Sequence, residues 1–262
     1  MLRTMPAWLP AAVVRTLGLL GLGMLIWIGV STALLQGSGD AMLSLRPLQF
    51  RALGVSALLI MALIVQLALQ PVPDRQPWRA RALAALGVTV AANGALLVLL
   101  AVERRSPGVI AIAAAIACIG ALGSVSLATL ATEAPRTQWH LPAQLALSLL
   151  GGAGVFFSLM AWLWPGDMGA SGAASSLLLL TGIAAALLLA CWLVEGGLLP
   201  PARHRLRWVA LALLLVAPIL LQGWLLFWPS LPRTLWWLTT LALGIALVLE
   251  ERDRRSGRDA TA

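Results

Sequence analysis

The sequence predicts an all-α, polytopic integral membrane protein: a bundle of eight transmembrane helices. Of its 262 residues, 60% are apolar and only 11% are charged, against roughly 45–50% apolar and roughly 25% charged in soluble domains. The mean hydropathy is +0.92, yet a soluble chain this long still exposes about a quarter to a third of its surface. Soluble-enzyme, collagenous and disordered classes are thereby excluded. Eight stretches reach the length of about 20 mainly apolar residues that a span requires. Proline and charge punctuate the gaps, and the alternating polarity that a membrane β-barrel needs is missing.

The first stretch, 13–35, follows Pro6 and Pro10 and is much longer than the apolar part of a signal peptide, so it is expected to stay in the membrane. The second, 49–69, begins after Arg46-Pro47 and stops at Pro71-Val72-Pro73-Asp74. The third, 81–102, ends at Arg104-Arg105-Ser106-Pro107. In the fourth, 108–131, Ala113, Ala117 and Ala121 form one ridge of small residues and Ile116, Gly120 and Ser124 the next. Such ridges admit close helix crossings, so this helix is expected at the centre. The fifth, 142–164, carries Gly151, Gly152 and Gly154, matched in the first by Gly18, Gly21 and Gly23, and ends at Pro165-Gly166-Asp167. The sixth, 173–194, runs to Pro200-Pro201; the seventh, 207–228, contains Pro218; the eighth, 234–250, is the shortest. Proline at such gaps ends one helix and starts the next. Residues 1–249 thus read as the transmembrane domain and 250–262 as a charged, disordered tail. No repeat between the two halves is evident.

All 18 basic residues are arginine, and the formal charge is +8. No basic patch interleaved with aromatics exists to bind nucleic acid; the arginines sit in the gaps, where they set topology and meet lipid headgroups. With eight spans, Arg3, Arg15, the even-numbered connections and the tail share one side and hold 13 arginines. Only Arg46, Arg51, Arg104, Arg105 and Arg233 lie on the other. The positive-inside rule puts both termini in the cytoplasm. Of the 12 tryptophans, Trp78, Trp139, Trp162, Trp164, Trp192, Trp208, Trp228, Trp236 and Trp237 stand near span ends, as an aromatic belt does.

Chemistry has few candidates. Every acidic residue lies at a span end or in a connection, whereas proton pumps place an ionisable group at mid-depth. Gln66, Asn93, Gln144 and Gln222 suit interhelical hydrogen bonds. Cys118 and Cys191 are isolated, and His140 and His204 lie in connections, so no metal, haem or iron–sulfur ligation is expected of this chain. The densest constellation is Glu133-Ala134-Pro135-Arg136-Thr137-Gln138-Trp139-His140-Leu141-Pro142. A cation, a π-face and an imidazole in one loop suit a partner protein, a lipid headgroup or a quinol.

The run from Ser124 to Gly152, SVSLATLATEAPRTQWHLPAQLALSLLGG, resembles the fourth-to-fifth helix connection of the dimethyl sulfoxide reductase membrane-anchor subunit family. The opening Pro10-Ala11…Thr16…Gly21-Leu22-Gly23 is similar to the start of that family's chains. The matches cover about a fifth of this sequence. One departure stands out. Where the family's second connection reads His-Leu-Gly-x-Pro, this chain has Leu67-Ala68-Leu69-Gln70-Pro71; Trp78-Arg79-Ala80 is retained, and the family's Ser-Arg-Glu glutamate has no counterpart. The resemblance implies a bacterial cytoplasmic (inner) membrane protein that tethers an iron–sulfur subunit and a molybdopterin catalytic subunit and passes them electrons from menaquinol or ubiquinol. The departure leaves two outcomes, a rebuilt quinol site or anchoring without oxidation. The expected contact surface is Arg136, Trp139 and His140 with Trp78 and Arg79. The alternatives are a small-solute transporter or a non-catalytic scaffold or assembly protein.

Overall fold

The computed structural model describes residues 8–35, 39–70, 75–102, 107–133, 137–164, 168, 171–195, 205–227 and 233–259. These form eight helices and no strand: α1 (Trp8–Leu35), α2 (Gly39–Leu69), α3 (Gln76–Ala101), α4 (Pro107–Thr132), α5 (His140–Leu163), α6 (Ala173–Val194), α7 (Arg205–Phe227) and α8 (Arg233–Asp259). Each is long and apolar enough to cross a membrane. The chain is an all-α, multi-pass membrane bundle.

The helices form two four-helix units. In the first, α1 packs on α2 and α4, and α3 on α4; in the second, α5 packs on α6 and α8, and α7 on α8. The units meet along α1 and α5, with α4 against α5 and α1 against α8 flanking that seam. Two halves built alike, which the residue pattern does not reveal, are therefore joined side by side. At the seam the backbones touch. A Cβ on Gly152 would collide with the backbone of Gly23 and Met24, and one on Gly23 with the Ser148 carbonyl. Only glycine permits that approach. Ser148 Oγ donates to Leu19 O across the same seam at 2.6 Å, and Trp27 Nε1 donates to Leu149 O at 3.0 Å.

Three expectations need correction. α4 is not central: 33% of its span is buried, against 67% for α1 and for α5, and Ile112, Ile116 and Ile119 face outward. Its small residues serve one side only, towards α1 and α3. Trp236 is not part of a belt but is fully buried, edge-on to Phe157 at 6.0 Å, with Phe157 in turn tilted against Trp27 at 5.4 Å. Trp192 is likewise buried, whereas Trp139, Trp162, Trp208 and Trp237 are exposed. Finally, the segment read as a disordered tail continues α8 to Asp259, and Glu250, Glu251 and Asp253 are buried. α2 similarly absorbs Pro47, which sits inside the helix and costs it one backbone bond rather than ending it.

The connections behave as antiparallel neighbours should. Arg79 ties the starting turn of α3 to the end of α2, donating to Leu67 O and Ala68 O at 2.7 Å each. Gln66 donates to Ala11 O at the start of α1, 2.8 Å away. At the opposite end, Arg46 Nη2 donates to Leu100 O at 2.8 Å. These arginines supply the donors that terminal helix carbonyls lack.

Candidate functional site

Where the start of α1, the end of α4, the start of α5 and the end of α8 converge, the bundle buries charge. Arg15, only 1% exposed, lies about two turns inside α1, so its guanidinium is closed off from water. It is satisfied from two directions: Nη2 donates to Glu133 Oε1 at 2.7 Å and Nη1 to Glu251 Oε1 at 2.8 Å. Arg254, one helical turn beyond Glu250 on α8, repeats the pattern. Its Nη1 lies 3.2 Å from Glu133 Oε1, its Nη2 3.0 Å from Glu251 Oε2 and its Nε 3.7 Å from Glu250 Oε1. With its amide oriented to suit these neighbours, Gln144 Oε1 accepts from Arg254 Nη1 and Nη2 at 2.6 and 3.0 Å. His140 Nε2 stands 3.3 Å from Glu133 Oε1. One carboxylate oxygen thus gathers two guanidinium groups and an imidazole.

Burying such groups costs several kcal/mol per ion unless each is paired; here the pairing spans four helix ends. Burial alone would raise the Glu133 carboxyl, but Arg15, then Arg254 and the nearby His140, outweigh it and hold it well below the usual carboxylate range. The network extends along α8: Arg207 on α7 donates from Nε to Asp253 Oδ2 and from Nη2 to Glu195 Oε2, the latter at 3.3 Å. Its guanidinium also stacks 5.6 Å from the centroid of the Trp192 ring. Beside the network a cavity of about 20 Å³ is lined by Thr16, Gln144, Ser148, Glu251 and Arg254 among others. That is room for about one water molecule.

Of the predicted contact residues, Arg136 lies outside the described residues. Trp139 is 38% exposed at the mouth of the α4–α5 connection. His140 is buried as the first residue of α5. Trp78 is half-buried beneath the Arg81 guanidinium, 4.9 Å from its ring centroid, and Arg79 is committed to the end of α2. No hydrogen bond or ion pair among the described residues joins Trp78 or Arg79 to Trp139 or His140. His204 also falls outside the described residues.

The sequence singled out Glu133 and Gln144, but not the ion pairs they join; the members it missed are Arg15, Glu250, Glu251 and Arg254. A signal existed for those on α8. Leu243, Ala246 and Leu247 lie on the buried stripe, and steps of three and four residues carry it on to Glu250, Glu251 and Arg254. Among the described residues no group of three or more His, Cys, Asp or Glu side chains is arranged to hold a metal ion. The chain matches no protein-family model, no curated protein and no solved structure.

Proposed function

We propose that this chain is the membrane-anchor subunit of a molybdopterin-dependent oxidoreductase of the dimethyl sulfoxide reductase type, set in a bacterial cytoplasmic membrane. The observation that carries the reading is the α4–α5 connection. Its sequence resembles that family most closely, and its two ends, Glu133 and His140, are clamped by the ionic network while Trp139 between them stays exposed. Trp139, next to the buried His140, loses little freedom on docking, which favours association. Tryptophan and arginine are the side chains most enriched at binding hot spots.

Tethering is supported over quinol oxidation at this place. The cavity beside Gln144 has room for about one water, far less than a quinone ring needs, and Leu67 stands where the family carries a histidine. The iron–sulfur and molybdopterin groups belong to the partner subunits in this reading; menaquinol or ubiquinol would reach the complex elsewhere. A transporter would open a path between its repeats, but here the seam is closed by backbone contact at Gly23 and Gly152.

The test is copurification of the partner subunits with Arg136→Ala and Trp139→Ala, alongside quinol oxidation by His140→Ala, with membrane insertion checked in each case. Loss of an anchoring side chain costs about 2 kcal/mol or more at a hot spot, so partner recovery falls at least tenfold in one of the first two. Recovery equal to wild type in both removes the loop from the interface.

A further inference from the structure

The side of the bundle away from the ionic network carries a groove. There α6 begins and α7 ends, and Ser175, Gly182 and Ala186 of α6 line the space together with Gln222 of α7. The three α6 residues are exposed and fall on one face of the helix. Gly182 opens the groove: a Cβ there would meet nothing within 4 Å, so no neighbour fills the place of its missing side chain. Leu179 and Ile183, also exposed, stand beside it, and the mouth therefore faces the hydrocarbon of the membrane.

Polarity runs one way along this groove. Ser175 follows the start of the α6 span at Ala173 by two residues, and Gln222 precedes the end of the α7 span at Trp224 by two. Both polar groups thus sit at the hydrocarbon boundary, while Gly182 and Ala186 lie nearer mid-depth. Gln222 Oε1 is enclosed with no hydrogen-bond partner among the described residues, a desolvation cost that the fold itself does not offset. Turned into the groove, the carboxamide offers Nε2 as a donor and releases Oε1 to the water at the boundary.

Dimensions select the occupant. From Ser175 to Ala186 the helix rises about 16 Å, half of a hydrocarbon core of about 30 Å, so the groove belongs to one leaflet. Even with its mouth included, its empty space is about 880 Å³. Spread over that length, this gives a passage about 8 Å across, whereas a helix with its side chains needs about 10–12 Å. A partner's transmembrane helix is too wide to enter; a hydrocarbon chain is not.

We propose that the α6–α7 groove holds one phospholipid of that leaflet, its acyl chain lying from Ser175 to Ala186 and a glycerol ester carbonyl accepting from Gln222 Nε2. Polar ester above apolar chain reproduces the order of the groove's lining. The bound lipid fills the space left by Gly182 and gives the Gln222 amide a partner. The inference is independent of the anchor reading, because it rests only on the membrane bundle itself.

The experiment is native mass spectrometry of the purified full chain after extensive detergent washing, with the retained lipid extracted and identified. Wild type is expected to keep one phospholipid per chain. Gly182→Leu and Ala186→Leu, which place side chains in the groove, are expected to lose it, and Gln222→Leu to retain less than wild type. Gly244→Leu is the matched control: it too points a Cβ into open space, on α8 and away from the groove, and is expected to keep the lipid. Thermal unfolding of each variant confirms that the bundle is folded. Wild type stripped of phospholipid by the washing overturns the proposal, as does retention in both groove-filling variants equal to wild type. Recovery of an isoprenoid in place of a phospholipid, or of a dimer that Gly182→Leu dissociates, gives the groove to another occupant and overturns it equally.

Discussion

Arg15 is the residue on which the convergence of four helix ends depends most. Its side chain is 1% exposed and makes two charge-assisted bonds of 2.7 and 2.8 Å, to Glu133 after α4 and to Glu251 on α8. In Arg15→Ala both carboxylates stay buried and each loses its shortest ion pair, while Arg254 still contacts both. Removing one partner of a buried pair costs about 3–5 kcal/mol, because the remaining charge is stranded. At about 2–4 °C per kcal/mol for a chain of roughly this size, the melting temperature falls by on the order of 6–20 °C. The assay is thermal unfolding of the detergent-solubilised chain, followed by tryptophan fluorescence. If Arg15→Ala melts with wild type, the network does not hold the ends together and the reasoning fails.

Three further outcomes follow from the same geometry. Glu133 is held below the ordinary carboxylate range, so its contribution is fully present above that range and is lost as pH falls through its lower folded value. A stability profile against pH should therefore drop on its acid side, and Glu133→Gln should flatten that limb. Gly152→Val drives a side chain into the backbone of Gly23 and Met24 and should cost about 3 kcal/mol; Gly182→Ala, whose Cβ meets nothing within 4 Å, should be neutral or slightly stabilising in the same unfolding assay. Reporter fusions after Ala262 and within 36–45 should report cytoplasm and periplasm respectively; the reverse would overturn the orientation drawn from the arginines.

The eight spans were legible because hydropathy over about 20 residues is a strong, local signal. Their ends were less so. Charge at Glu250-Glu251-Arg252-Asp253 reads as an exit into water, yet the helix continues because its acids find arginines on α1 and α7. That partnership joins residues 236 apart in sequence, which no local pattern encodes. The glycines of α1 and α5 did announce a close crossing, and the seam is there. The small residues of α4 were misleading, since Ala117 and Ala121 pack tightly on one side while Ile112, Ile116 and Ile119 face outward. In the candidate loop, His140 gave a correct focus of polarity, but Arg15 hid inside an apolar run where its charge looked interfacial.

The central functional claim is that this chain holds a molybdenum enzyme at the membrane. The direct measurement is quantification of molybdenum and iron in complexes recovered through a tag on the chain expressed at its native level. The account predicts both metals in fixed ratio to the chain, retained through washing and diminished in Trp139→Ala. Recovery of the inserted, intact chain with neither metal, under conditions where the host makes molybdenum enzymes, would contradict it.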